Sequence, residues 1–302
     1  MNEVREILKK HKITPLGYTK KKDVFIIDSN NGKYVLKKSS DKIKKFYNYL
    51  RLRNFYYLPE YYNLHDRDSY YIESFIKDYD IPKYDRAEEL INLVSLLHNK
   101  TTTYTEVDID DYKIIYEDTL DKINDLVTFY NELNNYIDSE IYMAPSSYLL
   151  ARNISKVYAT LDFCKNELDS WYGIVKNMDK KRNVLIHNNL ELGHLLKNEE
   201  GSYLISFDNA KYDIPIYDIY KLYKNIYNEV EFESLFNEYM SKYPLHEDEL
   251  KLLFILISLP EKVDFTNDEY ENCKKVDELL SYIVKTEKII SPYYADEKKE
   301  NE

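Results

Sequence analysis

Apolar and polar residues alternate differently before and after residue 77. In the first part, "DVFIID" (23–28) and "KYVLKK" (33–38) are rich in β-branched and aromatic residues, which predicts two strands. The turn "SNNG" between them favours a hairpin because Asn and Gly tolerate positive φ. We expect further strands around "YLPEYYNL" and "SYYIESFI". We expect helices over "EVREILKKH" and, behind a Ser or Asp cap, over "SDKIKKFYNYLRLR".

From residue 78 onward the apolar spacing becomes helical. It is clear in "RAEELINLVSLLHNK" and in two long segments that begin "DYKIIYEDTL" and "SSYLLARNIS". One exception is the pair "VLIHNNLELGHLL" and "SYLISFD" around the turn "KNEEG", which predicts two short strands with loop residues at their ends. After residue 218 the chain is helical again up to "EDELKLLFILISL", stopped by Pro260, and it ends in a polar tail, "DEKKENE". We therefore predict an α+β fold with a small antiparallel-sheet lobe containing one helix (1–77) and a larger, mainly helical lobe (78–302).

Composition narrows the range of partners. The 302 residues include 54 acidic and 42 basic side chains, a net charge of −12, which argues against a broad electrostatic grip on nucleic acid or an anionic membrane. The longest apolar run, "LLFILISL", is too short to span a bilayer, and the N-terminus lacks the apolar segment of a signal peptide. Cys164 and Cys273 are far apart and outside any C-x-x-C pattern. We expect a cytoplasmic protein with reduced thiols, no zinc site and no nucleic-acid or membrane partner.

The segment 184–218 has the spacing of a phosphoryl-transfer site. The kinase pattern H-R-D-x-x-x-x-N places a base third and a magnesium ligand eighth. Here His187 begins the pattern, Asn189 stands third and His194 stands eighth. With its continuation "LISFDNAKYDIPIYD", the segment resembles the aminoglycoside phosphotransferase and choline kinase superfamily, and most closely its spore-coat protein S branch. The resemblance implies a bilobal protein-kinase-like fold, with the hairpin of 184–218 in the helical lobe.

The same resemblance assigns roles to individual residues. Asn189 takes the position of the base, although an amide cannot accept the substrate proton, and His187 is expected to anchor the loop. His194 and Ser206 take the metal-binding positions, and Asp208 becomes the alternative ligand if the alignment slips. Asp218 resembles a structural aspartate that caps the following helix.

In the first lobe, "KYVLKK" resembles the kinase strand V-A-I-K and places Lys37 at the position of the phosphate-binding lysine. Glu73 falls where the family offers backbone groups to adenine, although a structural role at the end of a strand fits equally well. The helical segment that follows Lys37, "SDKIKKFYNYLRLR", contains no glutamate. We therefore expect the ion pair that orients the lysine to be absent.

These features leave open whether the protein is an enzyme. In one interpretation it is a pseudokinase that binds a protein partner or has a structural role, as in the spore coat of a spore-forming bacterium, with no firm cofactor. In the alternative it is an active small-molecule phosphotransferase that uses ATP and Mg²⁺, with Asp208 on the metal and Glu191 as the base. A third interpretation is an unrelated helical scaffold. The sequence names no substrate, partner or oligomeric state.

Overall fold

The computed structural model describes residues 2–21, 24–38, 40–62 and 70–295. The helices in this part of the chain are α1 (Asn2–Lys10), α2 (Asp41–Leu52), α3 (Lys83–Thr101), α4 (Ile109–Asp138), α5 (Pro145–Val175), α6 (Ile216–Ile226), α7 (Phe232–Lys242), α8 (Glu247–Ser258) and α9 (Glu269–Tyr294). The strands are β1 (Pro15–Lys21), β2 (Val24–Ser29), β3 (Gly32–Lys38), β4 (Tyr61–Tyr62), β5 (Tyr70–Ser74), β6 (Thr103–Glu106), β7 (Lys180–Ile186), β8 (Leu195–Asn198), β9 (Gly201–Leu204) and β10 (Lys211–Asp213).

The chain divides into two compact units. The first consists of Met1–Thr102 and Leu185–Tyr212, and the second of Thr103–Val184 and Asp213–Glu302. The first unit therefore holds the N-terminal sheet, α3 and the β8–β9 hairpin. The predicted division into two lobes cuts the chain once, after residue 77, whereas each compact unit combines two separate stretches of the chain. The predicted lobe boundary stays a prediction.

The N-terminal sheet is antiparallel, with the strand order β1-β2-β3-β5-β4. The predicted β2–β3 hairpin is confirmed, and its positive φ falls at Gly32 (φ 117°). The predicted strands around "YLPEYYNL" and "SYYIESFI" correspond to β4 and β5, although residues 63–69 lie outside the described part. β1 was missed because its Pro, Gly and lysines give "PLGYTKK" no clear apolar alternation.

The register of the sheet decides which side chains share a face. Lys37 lies opposite Tyr71, and Val35 lies opposite Glu73, so these four side chains lie on one face. On the other face, Leu36 and Ile72 are fully buried.

Helix α2 begins at the predicted serine cap, where the Ser40 side chain accepts a hydrogen bond from the Ile43 amide at 3.2 Å. Its buried residues are the four expected from the helical spacing, Ile43, Phe46, Tyr47 and Leu50.

The second unit is mainly helical. Its core lies among α4, α5 and α9 and includes Leu126, Tyr130, Ile137, Leu150, Val157, Leu161, Val276, Leu279 and Ile283. The sequence predicts α4, α5 and α8, but it does not predict α9, because Pro260 ends the helical pattern of α8 and no clear signal marks a further helix. β6 pairs antiparallel with β7. The polar tail (296–302) lies outside the described residues, and no helix in the described ranges is long and apolar enough to cross a membrane.

Candidate functional site

Lys37 lies near the end of β3 and forms an ion pair in the interior of the first unit. Its Nζ is 2.7 Å from Oε2 of Glu73, and the two side chains are 13% and 2% exposed. The hydroxyl of Tyr47 on α2 donates a hydrogen bond to Oε1 of the same carboxylate at 2.6 Å. Both oxygens of Glu73 are thus engaged. The prediction that Lys37 lacks an acidic partner is wrong.

The partner comes from β5 instead of α2 because of the strand register. Glu73 is the diagonal neighbour of Lys37 across the β3–β5 ladder, which places both side chains on one face and within reach of each other. Helix α2 presents a tyrosine to this pair. The backbone of Glu73 lies inside the sheet, with Val35 and Tyr61 as its ladder partners, so its suggested role toward adenine stays a prediction.

Two buried phenols surround the carboxylate. Burial, followed by the negative charge of Glu73, raises the pKa of Tyr47 well above its ordinary value. The same two causes raise the pKa of Tyr71, and the charge of Asp208 adds to the shift of both tyrosines. Both phenols therefore remain neutral hydrogen-bond donors at physiological pH.

The loop after β7 is held by His187. This side chain is fully buried, and its Nε2–H donates to the carbonyl oxygen of Ile205 at 2.7 Å. Its ring packs edge-on against Phe207, with 4.9 Å between ring centroids. Phe207 in turn lies 6.1 Å from the ring of Tyr47. His187 therefore ties this loop to the segment that carries Ser206, and Phe207 connects that segment to the Lys37–Glu73–Tyr47 group.

Asn189 and His194 are brought together through the backbone. The Nδ1–H of His194 donates to the carbonyl oxygen of Asn189 at 2.6 Å, because a carbonyl can only accept. The backbone oxygen of His194 accepts from the Ile205 amide at 3.0 Å. His194 thus has one ring nitrogen, Nδ1, that is engaged by the protein backbone.

Two residues in these loops have left-handed backbone conformations. Ser206 has φ 68° and ψ 50°, and Asn188 has φ 63°. The Asn188 side chain donates to the carbonyl oxygen of Asn209 at 3.0 Å, which joins the two loops. Such conformations cost about 1–3 kcal/mol each and concentrate at functional sites. The hydrogen bond from Asn188 to Asn209 thus helps to hold the two loops in these unfavourable backbone conformations.

The donor set at the predicted metal positions does not fit Mg²⁺. This ion prefers hard oxygen ligands in an octahedral arrangement, usually with carboxylates. Asn189, His194 and Ser206 supply no carboxylate, and the ring of His194 offers nitrogen instead of oxygen. Asp208 supplies the one carboxylate among the predicted positions, and it lies in the short 3₁₀ turn Phe207–Asn209. In the described ranges, no group of three or more His, Cys, Asp or Glu could hold a metal ion.

Asp218 lies in the second compact unit and is fully buried. The prediction that it caps a helix is wrong, because Asp218 is inside the first turn of α6 and the cap residue is Pro215, which makes no side-chain cap bond. Glu191, the alternative base, is exposed and precedes the 3₁₀ turn Leu192–His194.

Sequence reasoning missed Tyr47, Tyr71 and Asn188. Tyr47 was predicted only as a core residue of α2. Its place on the apolar face of the helix that follows the Lys37 strand was the one signal that it could lie near Lys37. Asn188 occupies the variable second position of the motif and had no such signal.

No family model matches the chain, and no curated protein matches it. Solved structures do. An aminoglycoside phosphotransferase from Alicyclobacillus acidocaldarius is similar over 93% of this chain and 92% of its own, with 9% identity and a TM-score of 0.65. A spectinomycin phosphotransferase in complex with AMP is similar over 94% and 97%, with 14% identity and a TM-score of 0.54. A structure of the same enzyme with ADP and spectinomycin has 14% identity, covers 95% and 98%, and gives a TM-score of 0.51.

These similarities extend over nearly the whole length of each chain. They confirm the predicted fold class, an α+β protein-kinase-like fold with an antiparallel N-terminal sheet and a mostly helical remainder. At 9–14% identity they establish the fold alone. The likeness to the spore-coat branch stays a prediction.

Proposed function

We propose that this protein is a pseudokinase, which has the fold of a phosphotransferase but acts by binding and does not transfer phosphoryl groups. The observation that carries the proposal is that Asn189, His194 and Ser206 have no carboxylate, on a loop framework that remains well connected. The hydrogen-bonded loops around His187 and His194 support an origin from an active phosphotransferase. The side chains of Asn189, His194 and Ser206 support loss of its reaction.

The loss of a base is one part of the case. The Asn189 amide cannot take the proton of an acceptor hydroxyl, and loss of general-base catalysis costs about 10²–10⁴ in rate. Ser206 contributes a neutral hydroxyl where a carboxylate would neutralise a cation. Without that cation, the negative charge that develops on a transferring phosphoryl group is not stabilised.

The electrostatics around Lys37 point in the same direction. Glu73 already compensates the lysine charge at 2.7 Å, and Asp208 adds a further negative charge to the region. A nucleoside triphosphate would bring three to four more negative charges to Lys37, Glu73 and Asp208, which together carry no net positive charge. We expect weak binding of ATP that magnesium does not improve.

The physiological role is the least direct part of the proposal. The resemblance of 184–218 to the spore-coat branch supports a binding or structural role in the coat of a spore-forming bacterium, with synthesis in the cytoplasm. The partner in this role is a protein.

Isothermal titration calorimetry with ATP, with and without Mg²⁺, tests the proposal. We expect no saturable binding up to about 1 mM nucleotide in either condition. Lys37→Met is the informative variant, and Lys33→Met on the same strand is its control because Lys33 is exposed and pairs with Asp28. Magnesium-dependent binding that Lys37→Met abolishes and Lys33→Met preserves would contradict the proposal.

One observation favours an active enzyme as the second candidate. Lys37 is held in a defined position by Glu73, as a phosphate-binding lysine requires, and Asp208 supplies a carboxylate that acts on the same region. In this case the protein would transfer a phosphoryl group from ATP to a small molecule; the similar structures named above are those of an aminoglycoside and a spectinomycin phosphotransferase. Asp208→Ala would then lose both metal and nucleotide affinity, and unchanged affinities would exclude this candidate.

A further inference from the structure

The first compact unit also contains a cavity that none of the predicted site residues lines. Its volume is about 590 Å³, and its walls come from the end of α2 and the following loop, β4, the segment after β5 and the β8–β9 turn. Lys37, Asn189, His194, Ser206 and Asp208 do not line it. Its size falls within the range of small-molecule sites, about 300–1,000 Å³.

The cavity is lined by charges of both signs. Arg51 and Lys77 supply two cations, and Glu60 and Glu200 supply two carboxylates. Across the described ranges, none of these four side chains forms an ion pair. Among the described residues, therefore, a ligand could pair with the lining groups without first breaking a salt bridge. A ligand that carries a positive and a negative group would match this arrangement.

Aromatic groups form much of the remaining wall. Tyr61, Phe75 and Tyr203 line the cavity together with the exposed Tyr56. The Arg51 guanidinium lies 5.3 Å from the centre of the Tyr61 ring, a cation–π contact that orients the guanidinium and leaves its N–H groups available. An orientated guanidinium beside apolar rings is suited to a carboxylate attached to an aromatic group.

We propose that this cavity binds a short peptide or similar molecule that combines an aromatic group with a free carboxylate and a free ammonium. The carboxylate pairs with Arg51 or Lys77, the ammonium with Glu60 or Glu200, and the aromatic group packs among Tyr61 and its neighbours. This proposal does not depend on whether the protein transfers phosphate.

The cavity also contacts the Lys37 centre through one tyrosine. The Tyr61 ring packs edge-on against Tyr47, with 4.9 Å between centroids, and its hydroxyl donates to the Asn48 side chain. Tyr47 in turn donates to Glu73, the partner of Lys37. A ligand that displaces Tyr61 therefore acts on a chain of contacts that ends at Lys37, and we expect binding to change the reactivity of that amine.

The test uses the full-length protein and the dipeptide L-tyrosyl-L-phenylalanine, titrated by calorimetry and by NMR. Two derivatives serve as matched ligands, one with an acetylated amine and one with an amidated carboxylate. We expect each derivative to bind about tenfold more weakly than the zwitterion. Arg51→Gln should weaken binding of the zwitterion about tenfold, and Lys45→Gln, an exposed position on the same helix, should change it less than about twofold.

Lys77→Gln provides a second variant at an exposed position, so that the test does not depend on the folding of Arg51→Gln. The rate of acylation of Lys37, measured by mass spectrometry, tests whether binding acts on Lys37 through Tyr61 and Tyr47. This rate should change when the protein is saturated with dipeptide, and the acylation rate of Lys45 should not. Equal affinities for the three peptides, affinities unaffected by both cation variants, or no binding at about 10 mM would overturn the proposed site. An unchanged Lys37 rate on saturation would overturn the link to Lys37.

Discussion

Two buried ion pairs between a basic residue and a glutamate, one in each compact unit, have different surroundings. In the first unit Lys37 pairs with Glu73, and in the second Arg182 pairs with Glu249, whose side chains are 8% and 3% exposed. The Arg182 Nε–Oε1 distance is 2.9 Å, and its Nη2 contacts both Glu249 and the Pro244 carbonyl oxygen. Its guanidinium also stacks 4.4 Å from the ring centre of Tyr243.

The difference lies in how many donors the protein itself uses. The donors of Arg182 are largely consumed within the unit, and Glu249 also accepts from the His246 amide at 2.8 Å, which caps α8. Lys37 has one carboxylate partner, three donors and a residual exposure of 13%. Burial of an ion pair therefore does not identify a functional site by itself. What distinguishes Lys37 from Arg182 is that it keeps unused donors and remains partly accessible.

The largest effect is expected from Glu249→Gln. This change leaves the buried Arg182 without a counter-charge and weakens the cap of α8, so we predict a loss of about 3–5 kcal/mol in the free energy of unfolding. Urea denaturation measures the loss. Glu247→Gln, exposed in the first turn of the same helix, is the control and should change stability by less than about 0.5 kcal/mol. A comparable loss in both variants would refute a structural role for the Arg182 pair.

Lys37→Met should cost less, about 2–3 kcal/mol, because Tyr47 still donates to Glu73 and the pair is less completely buried. The double variant Lys37→Met, Glu73→Met should recover most of this loss, since no unpaired charge remains. Denaturation of the two variants side by side measures both effects. A double variant less stable than the single one would show that the pair itself is strongly stabilising.

Tyr47→Phe removes one hydrogen bond to a buried carboxylate and keeps the ring. Hydrogen bonds to charged groups contribute about 1.5–3 kcal/mol, and with Lys37 still in place we expect a loss near the lower figure. Thermal denaturation checks the prediction, with Tyr56→Phe at an exposed position as the control. No difference between the two variants would mean that Glu73 does not need the tyrosine.

The smallest effect concerns Glu89 on α3, which accepts hydrogen bonds from Lys197 and, at 2.7 Å, from Ser202. Burial alone would raise the pKa of Glu89, but these hydrogen bonds and the Lys197 charge outweigh it and lower the pKa. Because the folded-state pKa is depressed, the stabilisation is present above the unfolded value of about 4.3 and is lost as pH falls through the lower folded value. Glu89→Gln should flatten the decline in melting temperature below about pH 5. An identical decline in both proteins would contradict this assignment.

Much of the fold could be predicted because its signals are local. The β2–β3 hairpin depends on its own turn and on Gly32, and α2 depends on Ser40 and its apolar spacing. β1 could not be predicted because it is an edge strand with little apolar alternation, and it is defined by its pairing with β2.

The candidate site was only partly predictable for a related reason. Lys37 could be found from its strand motif, but its pairing with Glu73 depends on the β3–β5 register, which joins residues far apart in sequence. The same holds for the bond between His187 and Ile205 and for the contact of Tyr47 with Phe207. The sequence alone shows that positions 189, 194 and 206 lack carboxylates. The residues that surround these positions are known only from the folded chain.

The central claim of the proposed function is that the residues at positions 189, 194 and 206, none of which is a carboxylate, prevent magnesium-dependent nucleotide binding. The most direct measurement is a calorimetric titration with ATP and Mg²⁺ of the natural protein beside the variant Asn189→Asp, His194→Asn, Ser206→Asp. We predict no saturable magnesium-dependent binding by the natural protein and a gain of about tenfold or more in affinity for the variant. Tight magnesium-dependent binding by the natural protein, unchanged in the variant, would contradict the claim.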